Sequence, residues 1–496
     1  MVQSYRSWLK NQFSLNSYKP VGGIMWGFEL RREIEVPLKR QIYLAIKEQI
    51  VAGKLRAGEA LPSTRQLAEE LKISRNTVNE AFDMLLAEGF VVSRQGAPTR
   101  IAEGVAVHTE KKEVARQREE QPLPLLADFR TGQPELRRFP NYLWQQISIK
   151  ACREMSNDML GYTGPQGLPR LRFEISSWLY RSKGLVVDPL DIFITAGATH
   201  ALSVIAHLLY RQDQAIIVED PTNIEMLQSF INKGYQVKRV PVDEFGLLTD
   251  KLPRISGPVY VTPSHQFPLG GILPADRRAA LIRFARENDS YIVEDDYDSE
   301  FRYDGDPVSP LYAMDPDRVI YIGTFSKVLF PALRIGYVIL PHCLQERWRY
   351  LRTHTDVQNP PFEQAALAEF LRTRKFDRHI RSMRKLYRER RQALLTALKA
   401  SFGDRWRLWG DAAGLHLAVE FEDMQFDPSF KDMCRSSRIR ITPVEYHAIA
   451  KGLHANKLLF GYGHLEPQQI EDGLAVLKEF LLARGYMSSA RLGPLK

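Results

Sequence analysis

The stretch RVIYIGTFSKVLFPALRIGYVILP (residues 318–341) constrains this chain more than any other. Two apolar, strand-like runs enclose small and hydroxyl residues, with Lys327 between them and Arg334 seven positions later. A lysine between buried strands is costly, because loss of water penalises its charge. The cost is understandable if the amine is neutral and bonded to a carbonyl carbon as a Schiff base.

Helical and strand-like stretches alternate from about 160 to 345, which predicts a parallel sheet with crossover helices. DIFITAGATHALSVIAHLLYRQ (191–212) reads as strand, small-residue turn and helix. The helix start at Ala198 and Thr199 offers free backbone N–H groups to an anion. QAIIVEDPTN (214–223) is a second strand ending at a polar turn, and YIVEDDYDSEF (291–301) a third. In the third, Asp295 and Tyr297 are two apart and face the same side. Combined with Lys327, these residues suit pyridoxal 5′-phosphate. Asp295 keeps the ring nitrogen protonated and Tyr297 donates to the phenolic oxygen. Ala198, Thr199, Thr324 and Arg334 cradle the phosphate. Each falls at the carboxyl end of a strand, where open α/β sheets bind ligands.

A different architecture precedes this body. Leu38, Ile42, Ile46 and Ile50 recur at steps of four, giving one apolar helical stripe that runs toward Gly53. Ser63 and Gln66 form an S-x-x-Q capping box, and Leu67, Ala68 and Leu71 face inward. After the short turn Lys72-Ile73, Ser74 caps a third helix that buries Val78, Ala81, Phe82 and Leu85. Two short helices joined by so tight a turn predict a helix-turn-helix. Arg75, Asn76 and Thr77 open the third helix, the position from which such helices reach base edges. FVVSRQGAPTRIA (90–102) predicts a wing turning at Gly96, with Arg94 and Arg100 near its tip. The chain carries a net charge of +9, and its first 122 residues hold 19 Lys and Arg against 15 Asp and Glu. Per residue this head is more than twice as basic as the rest, in keeping with a nucleic-acid partner.

AGKLRAGEALPSTRQLAEELKISRNTVNEAFDMLLAEGF (52–90) resembles the GntR-type winged helix. The resemblance implies that Ser63, Thr64, Arg65, Arg75, Asn76 and Thr77 contact double-stranded operator DNA, with Arg94 on the wing. The body resembles the fold-type I, aspartate-aminotransferase-like family over about 360 residues. LGYTGPQGLPRLRFEISSWL (160–179), TPSHQFPLGG (262–271) and TFSKVLFPALRIG (324–336) carry the match. This implies a large α/β domain with a mainly parallel sheet, a smaller C-terminal α+β domain, and pyridoxal 5′-phosphate on Lys327. It also implies that Tyr162 reaches the partner subunit's cofactor, hence a homodimer. The fusion resembles the MocR/GabR-type bacterial regulators, for which a small amine, an amino acid or pyridoxal 5′-phosphate itself is the implied effector.

Departures from working transaminases point away from turnover. Thr222-Asn223 stands where those enzymes place a stacking aromatic ring, and Phe267 replaces an asparagine that bonds the phenolic oxygen. Leu458 or Leu459 takes the place of the arginine that clamps the substrate carboxylate. The competing expectation is a catalytically active aminotransferase carrying a DNA-binding head. Arg130 and Arg137 or Arg138 are further candidate anion ligands, and His200, His265 and His416 candidate pocket residues.

The expected boundaries are a disordered tail at 1–28, with Met25 a candidate start, a winged helix at 29–103 and a linker at 104–125. The body then spans 126–488, with a small subdomain from about 375. EGVAVHTEKKEVARQREEQPLPL (103–125) has mixed charge and too little apolar surface to fold alone. Three scattered cysteines without metal-ligand spacing fit a reducing cytoplasm and no metal. No apolar run approaches the ~20 residues of a membrane span.

Overall fold

A computed structural model describes residue 30 and residues 35–105, 124–212, 214–303, 308–410, 413–427 and 429–487. The expected tail and most of the expected linker lie outside these residues. The described residues form two compact units, divided between residues 120 and 121.

The first unit holds α1 (Leu38–Val51), α2 (Thr64–Leu71) and α3 (Arg75–Ala87), then the antiparallel strands β1 (Val91–Val92) and β2 (Arg100–Ile101). The capping box forms as the sequence predicts: Ser63 Oγ accepts from Gln66 N, and Gln66 Oε1 accepts from Ser63 N. Ile42, Ile46 and Ile50 of α1 and Val78, Ala81, Phe82 and Leu85 of α3 interlock in one core, whereas Leu38 and Leu71 are only half-buried. Lys72, in the left-handed region at φ 52°, turns the chain from α2 to α3.

The second unit is built on an eight-stranded sheet. Its strands are β4 (Ile192–Thr195), β5 (Ala215–Asp220), β6 (Gln236–Asp243), β7 (Gly246–Leu247), β8 (Val259–Val261), β9 (Ile292–Asp296), β10 (Val319–Thr324) and β11 (Gly336–Ile339). Their spatial order is β4-β11-β10-β9-β8-β5-β6-β7. The five from β10 to β6 pair in parallel, while β11 runs antiparallel to both neighbours and β7 closes the edge antiparallel to β6. The central strands are buried along their whole length, as expected of a sheet covered on both faces. Alternation assigns each side chain to a layer. Ile192, Ile194, Ile217, Ile292 and Tyr321 join one core, and Phe193, Ile216, Val218, Val293 and Ile322 the other.

The helices are α4 (Asn141–Glu154), α5 (Pro169–Lys183), α6 (Ala198–Leu208), α7 (Ile224–Lys233), α8 (Ala275–Glu287), α9 (Gln345–Thr353), α10 (Pro361–Arg372), α11 (Lys375–Phe402), α12 (Phe430–Ser436) and α13 (Pro467–Ala483). A second sheet joins β12 (Trp406–Trp409), β13 (His416–Phe421), β16 (Lys457–Gly461) and β15 (Thr442–Pro443) in that order. A short parallel pair, β3 (Ala127–Asp128) with β14 (Ile439–Arg440), returns the start of the body to its C-terminal part.

Two buried charge clusters lock these parts together. Arg390, on α11 and fully buried, binds Glu135 Oε2 at 2.5 Å, Glu466 Oε1 at 2.9 Å and the Gly463 carbonyl. Lys183, closing α5, donates to Asp296, to Ser299 Oγ at 2.7 Å and to Tyr321 Oη at 3.0 Å.

Candidate functional site

The residues that matter converge where the parallel strands end. A cavity of about 530 Å³ is lined by Ala198 and Thr199 at the start of α6, Asp295 in β9 and Tyr297 just after it, Thr324 closing β10, and Lys327 and Arg334 beyond that strand. The structure thus brings seven of the sequence-derived residues to one place. Tyr162 is not among them; it is 90% exposed.

Lys327 makes no hydrogen bond or ion pair among the described residues. Burial pushes its amine below the usual lysine range, opposed in part by the carboxylates of Asp298, Asp295 and Glu225. Lys183 is the internal contrast, since Asp296 and Glu300 hold its amine above that range despite burial. Gly132 makes room for Lys327: a Cβ there would lie 2.7 Å from Nζ, and φ is +67°. Nothing in the sequence signalled this role, although Gly132 stands two residues after the candidate Arg130.

Asp295 Oδ2 accepts from Tyr260 Oη at 2.8 Å, while Oδ1 is buried with no partner. Burial pushes its carboxyl up to about 6. A cationic nitrogen against Oδ1 would both satisfy that oxygen and restore the charge, so the donor set fits a protonated pyridine ring. Behind Tyr297 stands His265, whose Nδ1 lies 2.8 Å from Asp298 Oδ1 and 3.0 Å from Tyr297 Oη. A carboxylate only accepts, so Nδ1 carries the proton, and Tyr297 keeps its own proton for another acceptor. Burial and neighbouring carboxylates hold the Tyr297 phenol well above its usual range, so it remains a donor.

The anion cradle also has its parts. Gly197, at φ +93°, turns the chain into α6, whose first N–H groups have no partners within the helix. A Cβ on Gly197 would crowd Arg334 Nη2 at 3.2 Å. Arg334 donates to the Ala196 carbonyl, and the hydroxyl of Thr324 accepts from Ser326 N at 3.2 Å.

Among the remaining candidates, Asn223 lines the cavity but caps α7 by accepting from Met226 N at 3.3 Å. Phe267 lines it too, edge-on to His447 with centroids 4.9 Å apart. His416 lines the wall, pushed down to about 4 by burial and by His265, while His200 and His265 lie outside the lining. Leu458 and Leu459 are fully buried in β16, away from the cavity. Arg130 lines the cavity and pairs with Asp128, whereas Arg137 binds Glu135 and Glu466 and Arg138 lies exposed outside the lining. The sequence reading missed Lys431, Arg435 and Arg440, which also line the cavity.

In the first unit, Arg65, Arg75 and Asn76 are exposed around the start of α3, and Arg75 Nε donates to Thr64 Oγ1 at 3.3 Å. Ser63 and Ser74 use their side-chain oxygens as helix caps, and Thr77 Oγ1 lies 2.8 Å from Ser74 Oγ. Arg94 is exposed beside the Gly96 turn. Arg100 corrects the sequence expectation. It belongs to β2, opposite Val92, and its guanidinium folds back onto the Gly58 carbonyl at 2.8 Å rather than standing at the wing tip.

A sheet carrying a lysine, an aspartate and an anion cradle at its strand ends defines an aminotransferase-like body. Residues 129–457 match the family described as "Aminotransferase class I and II", and residues 38–101 match "Bacterial regulatory proteins, gntR family". The chain belongs to the family of transcription regulators that fuse a GntR-type head to an aminotransferase class I and II body. It is 31% identical over 472 residues to the probable rhizopine catabolism regulatory protein MocR of Rhizobium meliloti, covering 92% of this chain and 96% of that one. It is 34% identical over 448 residues to the pyridoxine biosynthesis regulator PdxR of Corynebacterium glutamicum, covering 88% and 95%. Among solved structures, Pyrococcus horikoshii kynurenine aminotransferase, described in complex with PMP, superposes with a TM-score of 0.66 at 25% identity. That likeness covers 74% of this chain and 92% of the other. The head is a DNA-binding domain of GntR type, and no helix among the described residues is long and apolar enough to cross a membrane.

Proposed function

We propose that this regulator carries pyridoxal 5′-phosphate on Lys327 and uses it to sense a small amine, an amino acid or the cofactor itself, working as a homodimer on operator DNA. The observation that carries the reading is Asp295 Oδ1, buried and unsatisfied in the cavity that also holds an unpaired Lys327 whose amine burial pushes below the usual lysine range. Pyridoxal 5′-phosphate supplies an aldehyde that condenses reversibly with amines, releasing water, and absorbs visible light when so bound. The chain's own groups do the rest. Asp295 holds the ring nitrogen, Tyr297 donates to the phenolic oxygen, and the start of α6 with Thr324 and Arg334 takes the phosphate. Tyr162, exposed in the single chain, suits a contact with the partner's cofactor.

Sensing requires that the effector bind two arrangements of the regulator unequally. Operator binding measured with and without pyridoxal 5′-phosphate and a panel of amines should therefore shift for at least one of them. Identical isotherms throughout would remove the sensing function. In the head, Ser63, Thr64, Arg65, Arg75, Asn76, Thr77 and Arg94 are the proposed DNA contacts. Arg75→Ala should weaken specific operator binding by ~1–3 kcal/mol, as for a base-reading arginine. Gel-shift titrations on operator and random duplex check this, and equal loss on both would make Arg75 a phosphate contact instead.

A further inference from the structure

The cavity that holds Lys327 is also lined by Lys431 and Arg435 of α12 and Arg440 of β14. Lys431 and Arg435 are four residues apart, so they occupy one face of the helix, an arrangement that repels unless something neutralises it. Among the described residues neither pairs with a carboxylate. Lys431 Nζ rests 3.8 Å from the centroid of the Tyr446 ring, another lining residue. Arg440 has Asp128 at 3.5 Å, but that carboxylate is already engaged by two nitrogens of Arg130. Among the described residues this part of the wall therefore presents two positive charges without an ion pair and a third that is only shared, and the carboxylates that line the same cavity, Glu225 and Asp295, pair with none of the three. The cofactor phosphate does not account for them. Its proposed cradle belongs to the central sheet, at the start of α6 and beyond β10, whereas these three residues come from the C-terminal part of the chain.

Leu459 sharpens the point. The strand position expected to hold a carboxylate clamp is fully buried among Leu269, Ala418 and Val444, and β16 offers the cavity nothing. Cationic groups enter from α12 and β14 instead.

We propose that Lys431, Arg435 and Arg440 form a second anion subsite, and that the effector is a small amine whose far end is a dianion, either a phosphomonoester or paired carboxylates. Two cations without an ion pair match two negative charges, and a guanidinium beside an ammonium suits either oxyanion. The inference rests on the reading of Lys327 given above.

The test uses full-length protein loaded with pyridoxal 5′-phosphate. Aminoalkyl phosphates of two to five carbons are titrated against amino alcohols of equal length, and aminoalkyl malonates of the same lengths against the corresponding ω-amino acids. Ligand-induced change in the visible band gives apparent affinities, and calorimetric midpoints provide an independent readout. At least one phosphate or dicarboxylate should bind tenfold or more tightly than its uncharged or monoacid counterpart. The double variant Lys431→Ala/Arg435→Ala should remove that preference while keeping the cofactor band. Which series shows the preference separates phosphomonoester from dicarboxylate. A loaded parent protein that shows no preference overturns the subsite, as does a preference that survives in the double variant. A parent protein that takes up no cofactor instead overturns the reading of Lys327, so the two failures are distinguishable.

Discussion

Lys327→Ala should abolish the visible absorption that the parent protein acquires with pyridoxal 5′-phosphate. It should also abolish the cofactor-modified peptide recovered after borohydride reduction. A complete loss is expected because Lys183 is held charged by Asp296 and Glu300, and Lys431, the other lysine lining the cavity, enters from the C-terminal part of the chain rather than from the end of β10. The fold should persist, since Lys327 makes no hydrogen bond or ion pair among the described residues and its neighbours lose only packing. Circular dichroism and the thermal midpoint check that part. An unchanged band in the variant would move the covalent attachment elsewhere.

Arg390→Ala should cost about 3 kcal/mol of stability, the low end for breaking a buried ion pair, because Arg137 still holds Glu135 and Glu466 once the buried guanidinium is gone. The loss is read from the urea midpoint. The same cluster sets an acid limit. Its arginine partners, Arg137 and Arg390, hold the Glu135 carboxyl down at about 2 against burial, compared with its ordinary 4.5. A depressed folded-state value stabilises fully above the unfolded value and is lost as pH falls toward 2. Stability of the parent protein should therefore drop between about pH 4.5 and 2, and Arg390→Ala should flatten that slope. Equal slopes would place the acid sensitivity in other carboxylates.

What was legible in the sequence was what local chemistry dictates. The Ser63–Gln66 box, the inward face of α3 and the strand-turn-helix at residues 192–208 follow from spacing alone, and all are present. Asp295, Tyr297 and Lys327 could be grouped because parallel strands deliver their carboxyl ends to one edge. Contacts set by distant pairing were not legible. Arg440 reaches the cavity through the register of β14 on β3, with Asp128 312 residues away, and no periodicity near Arg440 records that. Arg390 reads as one more charge on a basic helix until its buried partners are known. Arg100 misled because alternation predicts which face a side chain takes but not that its guanidinium returns to the Gly58 carbonyl.

The contrast between Lys183 and Lys327 has a chemical consequence. An electrophile needs a lone pair, and Lys183 has none to give at neutral pH, whereas the Lys327 amine is pushed toward its free-base form. Between these two amines, basicity alone therefore favours the one that lines the cavity.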